Sequence, residues 1–319
     1  MRAKPNRLAL GAAGITVVLW ASAFVGIRAA RTDITAGPLS LARLLVAALI
    51  LGIVVAIRKA ALPPRRDVPR LVVCGLLWFA AYNVLLNEAE RRVDAGTAAM
   101  LVNVGPILIA LLAGLLLKEG FPRALLVGCA VAFAGAIVIG IATSGQQLDA
   151  GWGAALCLAA AATYAGGVIA QKPLLERTGA LQITFLACVI GALACLPFAP
   201  GLVDEVGRAD TPALLWAVYL GVFPTAIGFT TWAYALKRTS AGKMGATTYL
   251  VPPLAILIAW AVLDETPPAL AFAGGALCLA GVAITRGLHL PLRSVRGRDA
   301  ARSPAPPPPA PAPETPPTR

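Results

Sequence analysis

The segment AGTAAMLVNVGPILIALLAGLLLKEGFPRALLVGCAVAFAG at residues 95–135 returns as AGKMGATTYLVPPLAILIAWAVLDETPPALAFAGGALCLAG at residues 241–281. The repeat extends over residues 89–137 and 235–283 at a constant offset of 146, with no gap. Proline, glutamate and glycine recur in one register, which chance matching of apolar residues does not explain. The matched pairs are Pro106 and Pro252, Glu119 and Glu265, Pro122 and Pro268, Gly128 and Gly274, and Gly135 and Gly281. An internal repeat in an apolar chain is typical of transporters built from two halves.

The composition of the 319 residues is that of a membrane protein. Apolar residues make up 58% and charged residues 13%, with a mean hydropathy of +0.78, whereas soluble domains carry about 25% charged residues. Apolar runs of about 20 residues, enough for a helix to cross a bilayer, recur along the chain. They predict ten spans, at 8–27, 37–57, 71–87, 95–117, 123–142, 152–171, 180–199, 212–234, 244–263 and 268–288.

The distribution of the basic residues favours a lipid bilayer over a nucleic acid as the partner of this chain, whose formal net charge is +12. With a cytoplasmic N-terminus and ten alternating spans, 21 basic residues fall on the cytoplasmic side and five on the outer side. This bias follows the positive-inside rule. It predicts a multi-pass protein of the cell membrane with both termini in the cytoplasm, and no nucleic-acid partner.

The first span has a second interpretation, because Arg2, Lys4 and Arg7 precede an apolar run that ends Ala21-Ser22-Ala23. This is the pattern of a cleaved signal peptide. Cleavage would leave nine spans and would remove Trp20, which has a counterpart in the second half. We therefore favour a retained helix.

Residues that carry chemistry are few. The six cysteines lie in apolar runs without C-x-x-C spacing, and His289 is the single histidine. No disulfide framework, metal site or cofactor is therefore predicted. The sequence has no H-E-x-x-H, G-x-S-x-G or Walker A motif, so neither an enzyme nor an ATP-driven pump is predicted. Residues 289–319 are basic and then rich in proline, and we expect a disordered cytoplasmic tail.

The repeated unit contains five predicted helices. Trp20–Val25 matches Tyr164–Ile169 at an offset of 144, which brings the first span into the repeat. The predicted domains are therefore 8–142 and 152–288. Because five is odd, the second half is inverted in the membrane relative to the first, and inverted halves can alternate access to a site between them. The predicted fold class is an all-α integral membrane protein with ten transmembrane helices in two inverted five-helix repeats.

Five short motifs mark the first half, and the last three of them have counterparts in the second half. They are LWASAFV at 19–25, LSLARLL at 39–45, Asp94-Ala95-Gly96, Gly105-Pro106 and Lys118-Glu119, followed by Ser240-Ala241-Gly242, Val251-Pro252 and Asp264-Glu265. In these motifs the chain resembles the drug/metabolite transporter superfamily, in particular its EamA-type members. Lys118 departs from the family pattern, which often has glycine there. The resemblance implies transport, and efflux in particular, of a small organic metabolite such as an amino acid, by alternating access.

Polar and aromatic side chains deep in the apolar helices are the candidate substrate-binding residues, since burying them is costly unless they find partners. The resemblance implies a central cavity lined by the third, fourth, eighth and ninth predicted helices and closed by the first and sixth. Aromatic walls with few polar groups suit a partly apolar small molecule, and packing or an interfacial belt is the alternative for each aromatic residue. The candidates are Trp20, Trp78, Tyr82, Asn83, Asn103, Tyr164, Phe229, Trp232, Thr248 and Tyr249.

Other residues have two open interpretations each. Pro106 and Pro252 remove backbone hydrogen bonds at matched places, either as kinks that flex during gating or as inert kinks. Arg43 either snorkels from the second span to the interface or bridges to a substrate carboxylate or a helix end. Glu119 and Glu265 either cap the helices that follow them or take part in gating.

The energetics of transport is a further open question. No Asp or Glu occupies the centre of a predicted span, which favours facilitated diffusion or exchange over proton coupling. Glu88 is the exception if the third helix is longer than predicted. A small-solute channel is the alternative to a carrier, and counterflow separates the two.

The topology can be tested with reporter fusions. A reporter fused after residue 205 should read as periplasmic and one fused after residue 240 as cytoplasmic, because the basic bias places these segments on opposite sides. Alkaline phosphatase and green fluorescent protein provide the paired measurement. The reverse pattern would contradict the inverted repeat.

Overall fold

The computed structural model describes residues 7–30, 33–92, 98, 101–143, 152–263 and 268–286. These residues belong to one compact unit, Met1–Leu288, and their regular structure is helical throughout. The predictions made for Asp94-Ala95-Gly96, Glu265, His289 and the tail lie outside the described residues.

Twelve helices are distinguished in the described part of the chain. They are α1 (Arg7–Ala30), α2 (Ala36–Ile57), α3 (Arg65–Ala89), α4 (Gly105–Leu116), α5 (Arg123–Thr143), α6 (Trp152–Arg177), α7 (Ala180–Ala194), α8 (Ala199–Val206), α9 (Thr211–Leu236), α10 (Ala241–Thr247), α11 (Val251–Leu263) and α12 (Ala269–Thr285). Among these, α1, α2, α3, α5, α6 and α9 are long and apolar enough to cross a membrane, and the bent pair of α7 and α8 passes the same test together. The helices α4 and α12 are shorter and apolar.

Two of the predicted spans are not continuous helices, because each contains a break at prolines. The predicted span 180–199 ends as a helix at Ala194 and turns by 54° into the following short helix, where Pro197 and Pro200 occupy first-turn positions. The predicted span 95–117 is interrupted at Asn103-Val104, and Pro106 lies in the first turn of α4. Proline is tolerated there because the first-turn N–H groups have no partner inside the helix.

The break before α4 has a counterpart in the second half. The predicted span 244–263 consists of α10, a 3₁₀ turn at Thr248–Leu250, and α11, in which Pro252 is the second residue. Pro106 and Pro252 therefore each begin a helix after a break, and neither kinks a continuous one. The two breaks coincide at the offset of 146.

Wide helical turns occur at matched places in α3 and α9. Each helix contains a π-helical segment, Gly75–Ala81 in α3 and Gly221–Ile227 in α9, and the two coincide at the same offset. A Cβ at Gly75 would lie 2.6 Å from Ile190 of α7, and a Cβ at Gly221 would lie 2.6 Å from Val46 of α2. The repeat therefore extends to packing contacts that sequence identity does not reveal.

The helices α5 and α12 form the most extensive pairwise contact among the described helices. They cross antiparallel: a Cβ at Gly135 would lie 2.6 Å from the oxygen of Gly274, and one at Gly281 would lie 2.5 Å from the oxygen of Gly128. All four glycines belong to the matched repeat pairs. Because glycine has no side chain, the two backbones come into contact, as they do at other helix contacts between small residues in membranes.

The turn after α4 contains a strained residue. Lys118 has a φ of 56°, in the left-handed region, and Gly120 has a φ of 74°. Glycine adopts this region without a steric penalty, whereas a residue with a Cβ does not. The geometry explains why glycine suits position 118 better than lysine does.

The glycine contact predicts a sharp difference between two substitutions. Gly281→Ala should lower the thermal stability in detergent, by about 1–3 kcal/mol, since the new methyl group meets the backbone of α5. Gly14→Ala should be neutral or stabilising, because no atom lies within 4 Å of the added group. A thiol-reactive dye can follow unfolding, since all six cysteines are free and buried. Equal melting temperatures for the two variants would contradict the close contact.

Candidate functional site

A cavity lies between five helices, α1, α2, α3, α6 and α9, and the two helix interruptions at Asn103-Val104 and Thr248–Leu250. Its volume is about 70 Å³ for the centres of water-sized molecules, which is room for a few waters. Small-molecule sites are usually several times larger. In the conformation described here the cavity is therefore too small for a substrate, whose entry would need the walls to move apart.

The walls of the cavity are aromatic. Trp78 contacts several of the other aromatic rings. Its ring centroid lies 4.9 Å from Phe229, 5.4 Å from Tyr164 and 6.1 Å from Trp20. Tyr82 extends the cluster and lies 5.7 Å from Tyr164. The edge-to-face and tilted pairs are the favoured geometries for aromatic rings. Trp20 and Tyr164, matched across the repeat, thus enter one cluster from α1 and α6.

Eight of the ten residues predicted as binding residues line the cavity. They are Trp20, Trp78, Tyr82, Asn83, Asn103, Tyr164, Phe229 and Thr248. Trp232 stacks behind Trp20 at 4.9 Å and is fully buried. Tyr249 belongs to a separate core cluster with Cys129 and Cys278. Of the two predicted gating prolines, Pro106 is a lining residue and Pro252 is not.

Some polar groups near the cavity support the irregular backbone. Asn83 donates a hydrogen bond to the oxygen of Phe79 (2.8 Å), and Thr225 donates one to the oxygen of Leu220 (2.7 Å). The indole N–H of Trp20 donates to the oxygen of Pro224 at 3.3 Å. All three carbonyls lie in or beside the π-helical segments, where the regular hydrogen bonds are disrupted. In apolar surroundings an unpaired backbone carbonyl group is costly, so these hydrogen bonds are required.

Arg43 is a lining residue of the cavity and is only 4% exposed. The snorkelling interpretation is therefore wrong, because a snorkelling side chain would reach the surface. Its Nε donates a hydrogen bond to Oγ1 of Thr225 at 3.0 Å. The sequence indicated an unusual charge at this position but could not show whether the side chain points to the interface or to the interior.

Two charged side chains hold the segment 236–242 at one end of the bundle. Glu119, which follows α4, accepts hydrogen bonds from the backbone N–H groups of Ala241 (2.8 Å) and Gly242 (3.3 Å). Lys172 of α6 donates to the oxygens of Leu236 (2.6 Å) and Thr239. Glu119 therefore caps α10 in the other half of the chain, and the expectation that it caps the next helix is wrong. Lys172 is not among the candidate residues from the sequence, although it corresponds to Arg28 at the offset of 144.

The carboxylates at the end of α3 differ from expectation. Glu88 lies near the surface and pairs with Arg92 at 2.7 Å and Arg91 at 3.4 Å. Glu90 is the buried one, at 4% exposure. The helix is longer than predicted, yet it does not carry Glu88 into the cavity.

Metal chemistry has no support in the described ranges. No group of three or more His, Cys, Asp or Glu side chains there could hold a metal ion.

At the end of α12, Arg286 donates a hydrogen bond to Oγ1 of Thr247 at 2.8 Å, and partial burial lowers the pKa of its guanidinium.

A family model describes this architecture. The model of the EamA-like transporter family matches the chain twice, at residues 8–141 and 151–287. The chain belongs to the EamA-like transporter family. The resemblance found in the motifs is thereby confirmed, and the protein is a multi-pass membrane transporter of small molecules.

Curated relatives agree with this assignment. A protein of Streptantibioticus cattleyicolor named "Probable terminal-alkyne amino-acid exporter" is 41% identical over 269 residues, covering 84% of this chain and 90% of the relative. An uncharacterised transporter of Bacillus subtilis is 32% identical over 271 residues, covering 85% and 88%. A solved crystal structure aligns with a TM-score of 0.72 at 18% identity, over 88% of this chain and 97% of that one. The structural match supports the fold alone.

The cavity predicts different outcomes for two buried asparagines. Asn103→Ala should lower transport about tenfold with little loss of folded protein, because Asn103 is a lining residue and a lost hydrogen bond to substrate costs about 1 kcal/mol or more. Asn87→Ala should lower thermal stability but leave the apparent KM unchanged, because Asn87 bonds Ser40 of α2 at 2.9 Å, away from the lining residues. Liposome flux and melting curves measure both. Normal transport by Asn103→Ala would remove this residue from the site.

Proposed function

We propose that this protein exports small amino acids or related metabolites across the cell membrane by alternating access. In this proposal ten transmembrane helices form two inverted five-helix repeats, residues 8–142 and 152–288. Both termini are cytoplasmic, and residues 289–319 form a cytoplasmic tail. The binding site consists of the eight lining residues predicted above, and Trp232 supports it from behind, whereas Tyr249 lies in a separate core cluster.

The observation that carries the proposal is the aromatic cavity between repeat-related elements. Trp20 and Tyr164 enter it from matched helices, and Trp78 of the π-helical segment of α3 packs against Phe229 of α9. A site on the pseudo-symmetry axis is what alternating access requires, because both halves must contact the substrate in either state. Aromatic faces with a few polar groups suit a small molecule with an apolar side chain.

The position of the cavity supports an assignment of the conformational state. Most lining residues of α1, α2 and α3, such as Ile27, Arg43 and Leu86, lie toward the end of the bundle where α1 ends and α2 begins. The opposite end is closed by Glu119 and Lys172 on the segment 236–242. With the orientation that the basic residues favour, the described state is closed to the cytoplasm.

The substrate class comes from the relatives and from the cavity together. The Streptantibioticus relative, at 41% identity, carries the name of an amino-acid exporter. A short unsaturated side chain has a π-face that can stack on the aromatic rings, and it fits a narrow site better than a bulky drug does.

Counterflow in liposomes tests the proposal. Purified protein should exchange external radiolabelled L-propargylglycine, a small terminal-alkyne amino acid, against the same unlabelled compound inside. Faster uptake into proteoliposomes that contain unlabelled substrate identifies a carrier, whereas equal uptake rates with and without internal substrate indicate a channel. Absence of flux for L-propargylglycine and for a panel of apolar amino acids would refute the substrate class.

The contacts of Glu119 predict a gating phenotype. Glu119→Ala should expose the N–H groups of Ala241 and Gly242, since two hydrogen bonds to a charged group, each worth about 1.5–3 kcal/mol, are lost. Hydrogen–deuterium exchange in the segment 236–247 should accelerate at least about tenfold, and counterflow should fall. Glu176→Ala is the matched control, because Glu176 is exposed at the same end of the bundle. Unchanged exchange in Glu119→Ala would show that this contact does not hold the end closed.

A further inference from the structure

We propose that Arg43 is the anchor for a substrate carboxylate, so that the transporter selects small monocarboxylates and zwitterions over amines and neutral compounds. The inference deepens the proposed function and rests on it. It adds a residue and a charge rule to a site otherwise described by its aromatic walls.

The guanidinium of Arg43 has unused hydrogen-bonding capacity at the cavity. Its Nε is bonded to Thr225, while Nη1 and Nη2 have no hydrogen-bond partner among the residues that the structure describes. No ion pair within 4 Å involves Arg43 in that same set. A buried guanidinium without a counterion is costly, and its four remaining N–H donors match the two oxygens of a carboxylate in a bidentate arrangement.

The position of Arg43 has a counterpart in the second half of the scaffold that carries alanine. The oxygen of Arg43 lies 3.0 Å from the place where a Cβ of Gly221 would be, and the oxygen of Ala187 lies 3.3 Å from the equivalent place at Gly75. Arg43 and Ala187 are separated by 144, the offset that relates Trp20 to Tyr164. The same backbone contact is made with alanine in the second half, so this contact does not require an arginine side chain.

The charge of the cavity favours an anionic group. Arg43 is the only Lys, Arg, Asp or Glu among its described lining residues. The titratable groups close enough to act on the guanidinium are Tyr82, Glu90 and Cys188, and Glu90 is not a lining residue. A cationic substrate would therefore enter a site whose described lining residues carry one positive charge and no carboxylate. The ammonium group of a zwitterion would meet the aromatic lining residues instead, by a cation–π contact.

The test compares each acid with its amide, which differs only in the carboxylate. The first pair is L-propargylglycine and its primary amide; the second is phenylacetate and phenylacetamide, which lack the ammonium group. Affinity is measured by intrinsic fluorescence in nanodiscs, because Trp20 and Trp78 line the cavity. We expect the wild-type protein to bind each acid at least about tenfold tighter than its amide, which is the range of a charge-assisted hydrogen bond.

The variants separate binding from scaffolding. Arg43→Gln should weaken the acids at least about tenfold and leave the amides unchanged, and Arg43→Lys should keep part of the preference. Thr225→Val removes the hydrogen bond to Nε but keeps the charge, and it should retain the preference. Arg238→Gln is the matched control, since Arg238 lies over Tyr234 outside the cavity. Equal acid-to-amide ratios in wild type and Arg43→Gln would overturn the proposal.

The outcomes distinguish this inference from the proposed function. If wild-type liposomes show no counterflow of amino acids, the proposed substrate class fails, and the phenylacetate pair still decides whether Arg43 binds a carboxylate. If counterflow occurs with acid-to-amide ratios near one, the inference fails and the transport function stands. If Arg43→Gln is not recovered folded, the acid-to-amide ratios of the wild type and of Arg43→Lys decide. A wild-type ratio near one would overturn the inference, and so would an undiminished ratio in Arg43→Lys.

Discussion

The need to satisfy backbone polar groups without water governs this structure. In hydrocarbon, an unpaired N–H or C=O group costs several kcal/mol, so irregular backbone is tolerated only inside the protein or at a water-lined cavity. The irregular segments Gly75–Ala81, Gly221–Ile227, Asn103-Val104 and Thr248–Leu250 obey this rule, because each contributes a residue to the cavity or lies beside it. Side chains then complete the bonding, as Trp20 does for the oxygen of Pro224. The features that shape the cavity are those that could not face lipid.

A nearly symmetric scaffold carries an asymmetric site. The π-helical segments, the helix breaks and the glycine contacts recur in both halves, but the side chains that fill matched places differ. Asn103 corresponds to Tyr249, and Arg43 corresponds to Ala187. Symmetry is thus kept where backbones pack and lost where a substrate would bind. Alternation between two states needs the first property, and recognition of an asymmetric molecule needs the second.

The sequence predicted the helical class, the repeat and half of the residues that line the cavity, because hydropathy and residue matching report directly on them. It did not predict the π-helical segments, since a change of hydrogen-bond spacing leaves no apolar pattern. It could not separate Trp78, which lines the cavity, from Trp232, which lies behind Trp20, because the rotation of a helix about its axis depends on neighbours. The contact of Glu119 with Ala241 joins residues far apart in the chain, and no local pattern encodes it. Burial of Arg43 depends likewise on what packs against α2.

The antiparallel contact of α5 and α12 has a consequence for the ancestry of the chain. Gly128 meets Gly281 and Gly135 meets Gly274, so both surfaces present the same two glycines in opposite directions. Such an isologous interface is the kind that forms between identical subunits. A single ancestral half, inserted in the membrane in both orientations, would pair with its own copy through this surface. Fusion of two such copies would then allow one of them to acquire Arg43 while the other kept alanine.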